Sequence, residues 1–206
     1  MTLFLVRHGQ TDWNEARRFQ GASDVGLSER GRAQAEALGH ALRGRRLAGV
    51  YASPLRRAQE TAAIAVAALP ATAVDELREL SLGQWEGRTV EEIRREAGDP
   101  YLAWLRAPHD CPPPGGEPLD RVAARVRGAL ARIAAAHGED DEVLVVAHGG
   151  VISVYACALL GSSFNSLWRL RVDNCSLTVV KPPRLSSIND TSHLAPGLKS
   201  AHLVRA

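Results

Sequence analysis

One pattern constrains this chain more than any other. Twice, a short apolar run stops abruptly on a basic or imidazole side chain followed by glycine. Leu3-Phe4-Leu5-Val6 ends in Arg7-His8-Gly9, and Glu142 to Ala147 ends in His148-Gly149-Gly150. Runs of this length, bounded by a glycine turn, suit buried parallel strands. In open α/β sheets, ligand chemistry gathers just outside the carboxyl ends of such strands. A guanidinium there can fork onto two oxygens of an anion. A glycine lets backbone come close. An imidazole can supply a neutral nitrogen nucleophile near pH 7.

The remainder of the chain alternates strand and helix signals. Ser28 caps a predicted helix running to about Leu42. Val50 to Ala52 reads as a strand, and Ser53-Pro54 opens a helix to about Leu69, with Pro54 at an early helical position. Ala71 to Val74 is a third short strand. Thr89 and Glu92 form a capping-box pattern for a short helix ending near Gly98, and a further short helix is expected around Leu102 to Leu105. A long helix spans roughly Leu119 to Ala136, and another Val151 to Leu160. Leu167–Val172 and Ser176–Val180 read as closing strands, joined as a hairpin around Asp173-Asn174. The pattern predicts an α/β fold of three layers, with a mainly parallel sheet flanked by helices. The 206 residues fit a single domain over 1–181, with a small helical cap or insertion at about 80–118. A polar C-terminal tail covers 182–206.

Composition removes several classes of function. A net charge of +2 with acids and bases interspersed leaves no nucleic-acid footprint and no membrane-surface helix. Cys111, Cys157 and Cys175 have neither metal-ligand nor redox-motif spacing. No secretory leader pattern opens the chain, and its longest apolar stretch is about half a membrane span. A cytoplasmic protein is expected.

The strand ends and helix starts converge chemically. Arg7 and His8 leave the first strand, and Arg56 and Arg57 occupy the first turns after the second. His148 stands at the start of a later helix, where free backbone N–H groups also favour anions. Acids follow the third strand: Glu76, Glu79 and Glu86. Two cations, two imidazoles and helix N-termini suit a doubly charged phosphate, and one acid at the rim suits proton transfer.

Three blocks, Leu-Val-Arg-His-Gly-Gln-Thr-Asp-Trp-Asn, Ser-Pro-Leu-Arg-Arg-Ala-Gln-Glu-Thr-Ala and Val-Val-Ala-His-Gly-Gly, resemble the signatures of the histidine phosphatase superfamily. That family includes the cofactor-dependent phosphoglycerate mutases, and the likeness runs in order from about residue 3 to 180. It implies a phosphoglycerate mutase-like fold. It implies that His8 is the nucleophile that becomes phosphohistidine, with Arg7, Arg57 and His148 completing the phosphate pocket. The resemblance favours Arg57 over Arg56, because Arg57 directly precedes Ala58 as in the family's Arg-Ala step. The resemblance further gives Asn14 a part in phosphate binding and Glu79 the part of proton donor, ahead of Glu76 and Glu86. Gln20, Gly21 and Gly149 join the substrate- and phosphate-binding set. Trp85, Arg88, Trp104, Arg106 and the Pro-rich loop at 111–116 are further candidates for the pocket roof.

The expected activity is metal-independent hydrolysis of a small phosphomonoester, of the histidine acid phosphatase type, with no cofactor. The partner is a small phosphorylated metabolite, and a homodimer is left open. Two alternatives stand beside it: a cofactor-dependent phosphoglycerate mutase, and a catalytically silent phosphate-binding homologue. The phosphatase is favoured over the mutase on three counts. The third block reads His-Gly-Gly where mutases usually carry His-Gly-Asn. Leu80 to Glu117 lacks the longer basic insertion of mutases. Gly83-Gln-Trp-Glu-Gly87 and Pro114-Gly-Gly-Glu117 are more like the phosphatase branches.

Overall fold

The computed structural model describes residues 1–96 and 99–199. Its elements run in chain order as β1 (Thr2–Arg7), α1 (Asp12–Glu15), α2 (Glu29–Ala41), β2 (Leu47–Ala52), α3 (Arg56–Ala65) and β3 (Thr72–Ala73). They continue with α4 (Val90–Arg94), α5 (Pro100–Arg106), α6 (Leu119–Ala135), β4 (Glu142–Ala147), α7 (Gly149–Leu159), β5 (Leu177–Lys181) and β6 (Arg184–Asp190). The six strands lie in the order β3-β2-β4-β1-β5-β6. The first four are mutually parallel, while β5 and β6 are antiparallel additions at one side.

Alternation along the strands divides the core between two faces. Phe4, Val6, Val50, Ala52, Leu144 and Val146 pack against Leu38 and Leu42 near the end of α2 and Ala58 and Ala62 of α3. Leu3, Leu5, Val143 and Val145 pack against Val122, Val126, Ala129, Leu130 and Ile133 of α6, and against α7. The sheet is therefore the middle of three layers.

Several boundaries differ from the sequence expectation. Pro54 lies before the helix cap rather than within α3, since Leu55 is the N-cap and the helix ends at Ala65. The Thr89 capping box forms, with Glu92 returning to the Thr89 N–H; the end expected near Gly98 lies outside the described residues. Leu167–Val172 is not a strand. Phe164–Arg169 forms a 3₁₀ turn, started by Ser163 accepting from the Asn165 N–H. The closing hairpin joins β5 to β6 instead. The sheet thus extends beyond residue 181, and the first part of the expected tail belongs to it. Among the described residues, no helix is long and apolar enough to cross a membrane.

Register is what assembles the site. Arg7 pairs with Ala147, and Ala52 with Val146, so three parallel strands end nearly level. The ladder extends one step further: the His8 N–H donates to the Ala147 carbonyl, and the Ser53 N–H to the Val146 carbonyl. His8, His148 and Ser53 therefore leave adjacent strands side by side.

Candidate active site

Both imidazoles are buried, with ring centroids 5.1 Å apart. His8 Nδ1 lies 2.7 Å from the Gly9 carbonyl oxygen. That contact assigns the proton to Nδ1 and leaves Nε2 with a free lone pair. Gly9 is fixed in turn by its N–H, which donates to Thr61 Oγ1 at 2.9 Å. Its Cα position admits no side chain, because a Cβ there would stand 2.5 Å from the Gly31 carbonyl oxygen.

His148 is the N-cap of α7, and its Nε2 lies 2.8 Å from Ser53 Oγ. Ser53 Oγ also accepts from the Leu55 N–H. The hydroxyl still has a proton to give, and donating it to His148 Nε2 places the ring proton on Nδ1, which has no hydrogen-bond partner among the described residues.

Arg57 is fully buried on α3. Its Nη1 and Nη2 donate to the Ser23 and Gly21 carbonyls at 2.7 and 2.8 Å, while its Nε has no partner among the described residues. Arg7 donates through Nη1 to the Val172 carbonyl at 2.6 Å, and its Nε is likewise buried, with no partner among the described residues. Burial pulls both guanidinium pKa values down, that of Arg57 to about 10, which leaves Arg57 charged at neutral pH. Arg56 points elsewhere, to Glu60 at the surface.

Asn14 is the buried N3 residue of a second capping box, on α1, in which its Oδ1 accepts from the Thr11 N–H. Asn174 Nδ2 reaches both Asn14 Oδ1 and the His8 carbonyl, at 3.3 and 3.0 Å. Gln20 Oε1 accepts from the Thr11 hydroxyl.

The three acids separate cleanly. Glu79 faces the start of α7, and its carboxylate accepts from the N–H groups of Leu80, Gly150 and Val151 at 3.1–3.2 Å. Burial raises its pKa against the opposing charges of Arg57 and Arg7 and its backbone hydrogen bonds. Glu86 is a brace. Burial works to raise its pKa, but the N–H groups of Ala22 and Leu82 and the hydroxyls of Ser23 and Ser81 outweigh this and hold the carboxyl below its usual value. Glu76 is paired with Arg132 at the surface. The imidazoles move oppositely: burial, then the charge of Arg57, holds His8 and His148 well below the usual histidine value.

A cavity of about 190 Å³ opens above these groups, lined by Arg7, His8, Asn14, Gln20, Gly21, Arg57, Glu79 and Gly149 among others. Its lining also holds the apolar side chains of Phe19, Leu80, Leu82, Tyr101, Trp104 and Trp168, and beside them the cationic Arg17, Arg18 and Arg171. Of the expected roof residues, Trp104 lines the cavity. Trp85 packs behind it in the core, its ring 5.5 Å from that of Trp104. Arg88 is paired with Glu96, Arg106 is exposed, and the Pro-rich loop meets the backbone of Gln84 rather than the cavity. Sequence reasoning missed Ser53, Thr61, Phe19, Trp168 and Asn174. Ser53 was within reach, since it follows a strand end as His8 does. Asn174 was absorbed into an expected turn.

A sheet whose level strand ends carry two buried imidazoles and one guanidinium group, with a second guanidinium from α3 and a carboxyl facing the start of α7, defines an anion-handling α/β protein. Residues 3–186 match the model of the histidine phosphatase superfamily, branch 1, and the chain belongs to that family. It is 34% identical over 206 residues to phosphoserine phosphatase 1 of Hydrogenobacter thermophilus, covering 97% of each chain. It is 35% identical over 205 residues to a probable phosphoglycerate mutase of Erwinia tasmaniensis, covering 94% of this chain and 95% of that one. Among solved structures, a mycobacterial glucosyl-3-phosphoglycerate phosphatase complexed with VO3 superposes with a TM-score of 0.85 at 36% identity, covering 92% of this chain and 99% of that one.

Proposed function

We propose that the protein hydrolyses a small phosphomonoester through a phosphohistidine on His8. One observation carries the reading. Arg7 Nε, Arg57 Nε and His148 Nδ1 are three buried nitrogens without a partner among the described residues, on side chains grouped with an imidazole whose Nε2 lone pair is free. Unpaired buried donors are costly, and the three oxygens of a transferring phosphoryl group would satisfy them.

In this mechanism His8 Nε2 forms the bond to phosphorus as the ester P–O bond breaks. The Gly9 carbonyl holds Nδ1–H and so steadies the imidazolium that forms. Arg7, Arg57 and His148 stabilise charge spread over the equatorial oxygens, and Asn14 helps orient them. Glu79, protonated, gives its proton to the leaving alkoxide. Ionised, it then takes a proton from the water that attacks phosphohistidine and releases inorganic phosphate. The cationic floor meets the phosphate charge without a divalent ion, which supports a metal-independent reaction. The leaving group would meet Phe19, Tyr101, Trp104 and Trp168, which suit an apolar or flat body, and Arg17, Arg18 and Arg171, which suit a polar or anionic one.

The test is phosphate release, with chelator present, from aryl, alkyl and sugar phosphates, phosphoserine and 3-phosphoglycerate, run beside His8→Ala. Release by the wild type, loss in the variant and an acid-labile phosphoprotein are expected. Isomerised 3-phosphoglycerate without release would make the protein a mutase, and phosphate binding without turnover would make it a silent homologue.

A further inference from the structure

Glu79 lies two residues past the 3₁₀ turn Asp75–Leu77 that follows β3, in a segment that belongs to no helix or strand. A general acid in such a segment needs an anchor, because misplacement by about 1 Å can cost on the order of a hundredfold in rate. The structure supplies one from α6. Arg125 Nη1 donates to the carbonyls of both Glu76 and Arg78, at 2.5 and 2.8 Å. Its Nε and Nη2 form a two-pronged pair with Glu117, both bonds 2.8 Å long. Glu117 closes the arrangement through its own backbone, whose N–H donates to the Ser81 carbonyl at 2.9 Å. The carbonyls on either side of Glu79, at residues 78 and 81, are thus both held by the Arg125–Glu117 unit.

We propose that Arg125 and Glu117 are positioning residues that clamp the backbone around Glu79 and hold its carboxyl against the start of α7. This rests on the reading of Glu79 as the proton donor. Three features set the pair apart from an ordinary surface ion pair, which contributes little. Both side chains are mostly buried, at 20% and 22% exposure. The geometry is bidentate, which adds directional specificity. Four of the guanidinium's hydrogen bonds are used, and two of them end on main-chain atoms within three residues of Glu79. A lysine could keep the charge but not this four-bond fork.

The consequence is selective. Proton donation matters most when the leaving group is a poor one. Loosening the clamp should slow phosphoryl transfer from an alkyl ester and spare transfer from an activated aryl ester. The readout is the burst of phosphoenzyme formation from 2-phenylethyl phosphate and from p-nitrophenyl phosphate, measured by rapid quench. Wild type, Arg125→Lys, Glu117→Gln and Glu79→Gln are compared. Glu117→Gln keeps a side chain of the same shape, so it serves if the arginine variant folds poorly.

In both clamp variants the alkyl-to-aryl rate ratio is expected to fall about tenfold or more, within the range ascribed to general acids, with KM for the aryl ester changed less than about twofold. The basic limb of the alkyl pH–rate profile should also move to lower pH, because a carboxyl less firmly buried loses its proton more easily. Equal losses on both esters, or an unchanged ratio in Glu117→Gln, would overturn the clamp and leave only a fold-stabilising pair. Glu79→Gln separates the two levels. If it lowers the ratio and the clamp variants do not, the clamp alone fails. If Glu79→Gln itself leaves the ratio unchanged, the acid assignment fails and the clamp's role falls with it.

Discussion

Thr61→Val tests how the two halves of the site are joined. Thr61 Oγ1 accepts from the Gly9 N–H at 2.9 Å and donates to the Arg57 carbonyl at 2.7 Å. One hydroxyl therefore ties the turn carrying His8 to the helix carrying Arg57, and it is wholly buried. Valine has nearly the same shape, so no cavity is expected and polarity is the only change. The Arg57 carbonyl loses little, since a helical carbonyl keeps its backbone partner. The Gly9 N–H is left buried and unpaired, which costs about 1–3 kcal/mol. At about 2–4 °C per kcal/mol for a chain of this size, Tm should fall by roughly 2–12 °C. Urea unfolding should show a lower midpoint with an unchanged slope, because the buried area is the same. Activity should fall more than stability alone would require, because Gly9 also fixes the His8 tautomer. A stability change below about 0.5 kcal/mol, the size of an ordinary surface substitution, would refute the argument that Gly9 depends on Thr61.

Three further outcomes are expected. Inorganic phosphate should bind at neutral pH with proton uptake, because a dianion beside Glu79 raises an acid pKa that burial has already lifted. Calorimetry in two buffers of different ionisation heat should show the uptake in wild type and lose it in Glu79→Gln; equal heats in wild type would count against it. Acid should destabilise the fold early. His8 and His148 are held well below 6.5 when folded, so their contribution is complete above the unfolded value and is lost as pH falls below it. Urea titrations from pH 7 to 5 should show a slope that His148→Asn reduces by up to one proton, about 1.4 kcal/mol per pH unit; an unchanged slope would contradict this. Gly150→Ala should lose activity despite its helical position, because a Cβ there stands 2.1 Å from Leu80 Cδ2 and 2.7 Å from Glu79 Oε1. A propensity gain of about 1 kcal/mol does not offset overpacking of about 1–3 kcal/mol, and wild-type activity in this variant would show that Glu79 does not act from this seat.

What was legible in the sequence was what obeys local rules. The strands β1 and β4 carry continuous apolar runs because both of their faces are buried, and their glycine-bounded ends announced the site. The caps of α2 and α4 were readable from Ser28 and Thr89 because a side-chain oxygen three residues upstream has one local use. The edge strand β6 was not readable. Its side chains, Arg184 to Asp190, are largely exposed, so no alternation distinguishes it from a polar tail. The 3₁₀ turn at Phe164–Arg169 failed for the opposite reason: its apolar residues mimic a strand, and only packing against α7 decides otherwise. In the site, Arg7, His8 and His148 stood out by type and place, whereas Arg57 was told from its neighbour Arg56 only by likeness to a family. Glu79 was separated from Glu76 and Glu86 only by likeness to a family, because the burial and backbone partners that distinguish them are tertiary properties.

Those tertiary properties share one cause. Removing water from a group disfavours its charged form, whichever sign that charge has. The same burial that holds His8 and His148 unprotonated holds a proton on Glu79 more firmly. A nucleophile with a lone pair and an acid with its proton would each be the minor form of an exposed side chain over part of the pH range. Enclosing both in one cavity extends the overlap from either end. Arg7 and Arg57 do not act symmetrically on this balance. Their charge reinforces the neutral histidines but opposes protonation of Glu79, so in the free protein the acid is the less secure partner. A bound phosphoester dianion neutralises that opposition. Substrate binding would then load the proton that the leaving group needs, and the loss of that proton would leave a carboxylate ready for the water that follows. Under the proposed mechanism the two guanidinium groups would do more than bind phosphate. They would keep Glu79 responsive to whether the site is occupied, which a cavity lined only by neutral donors would not do.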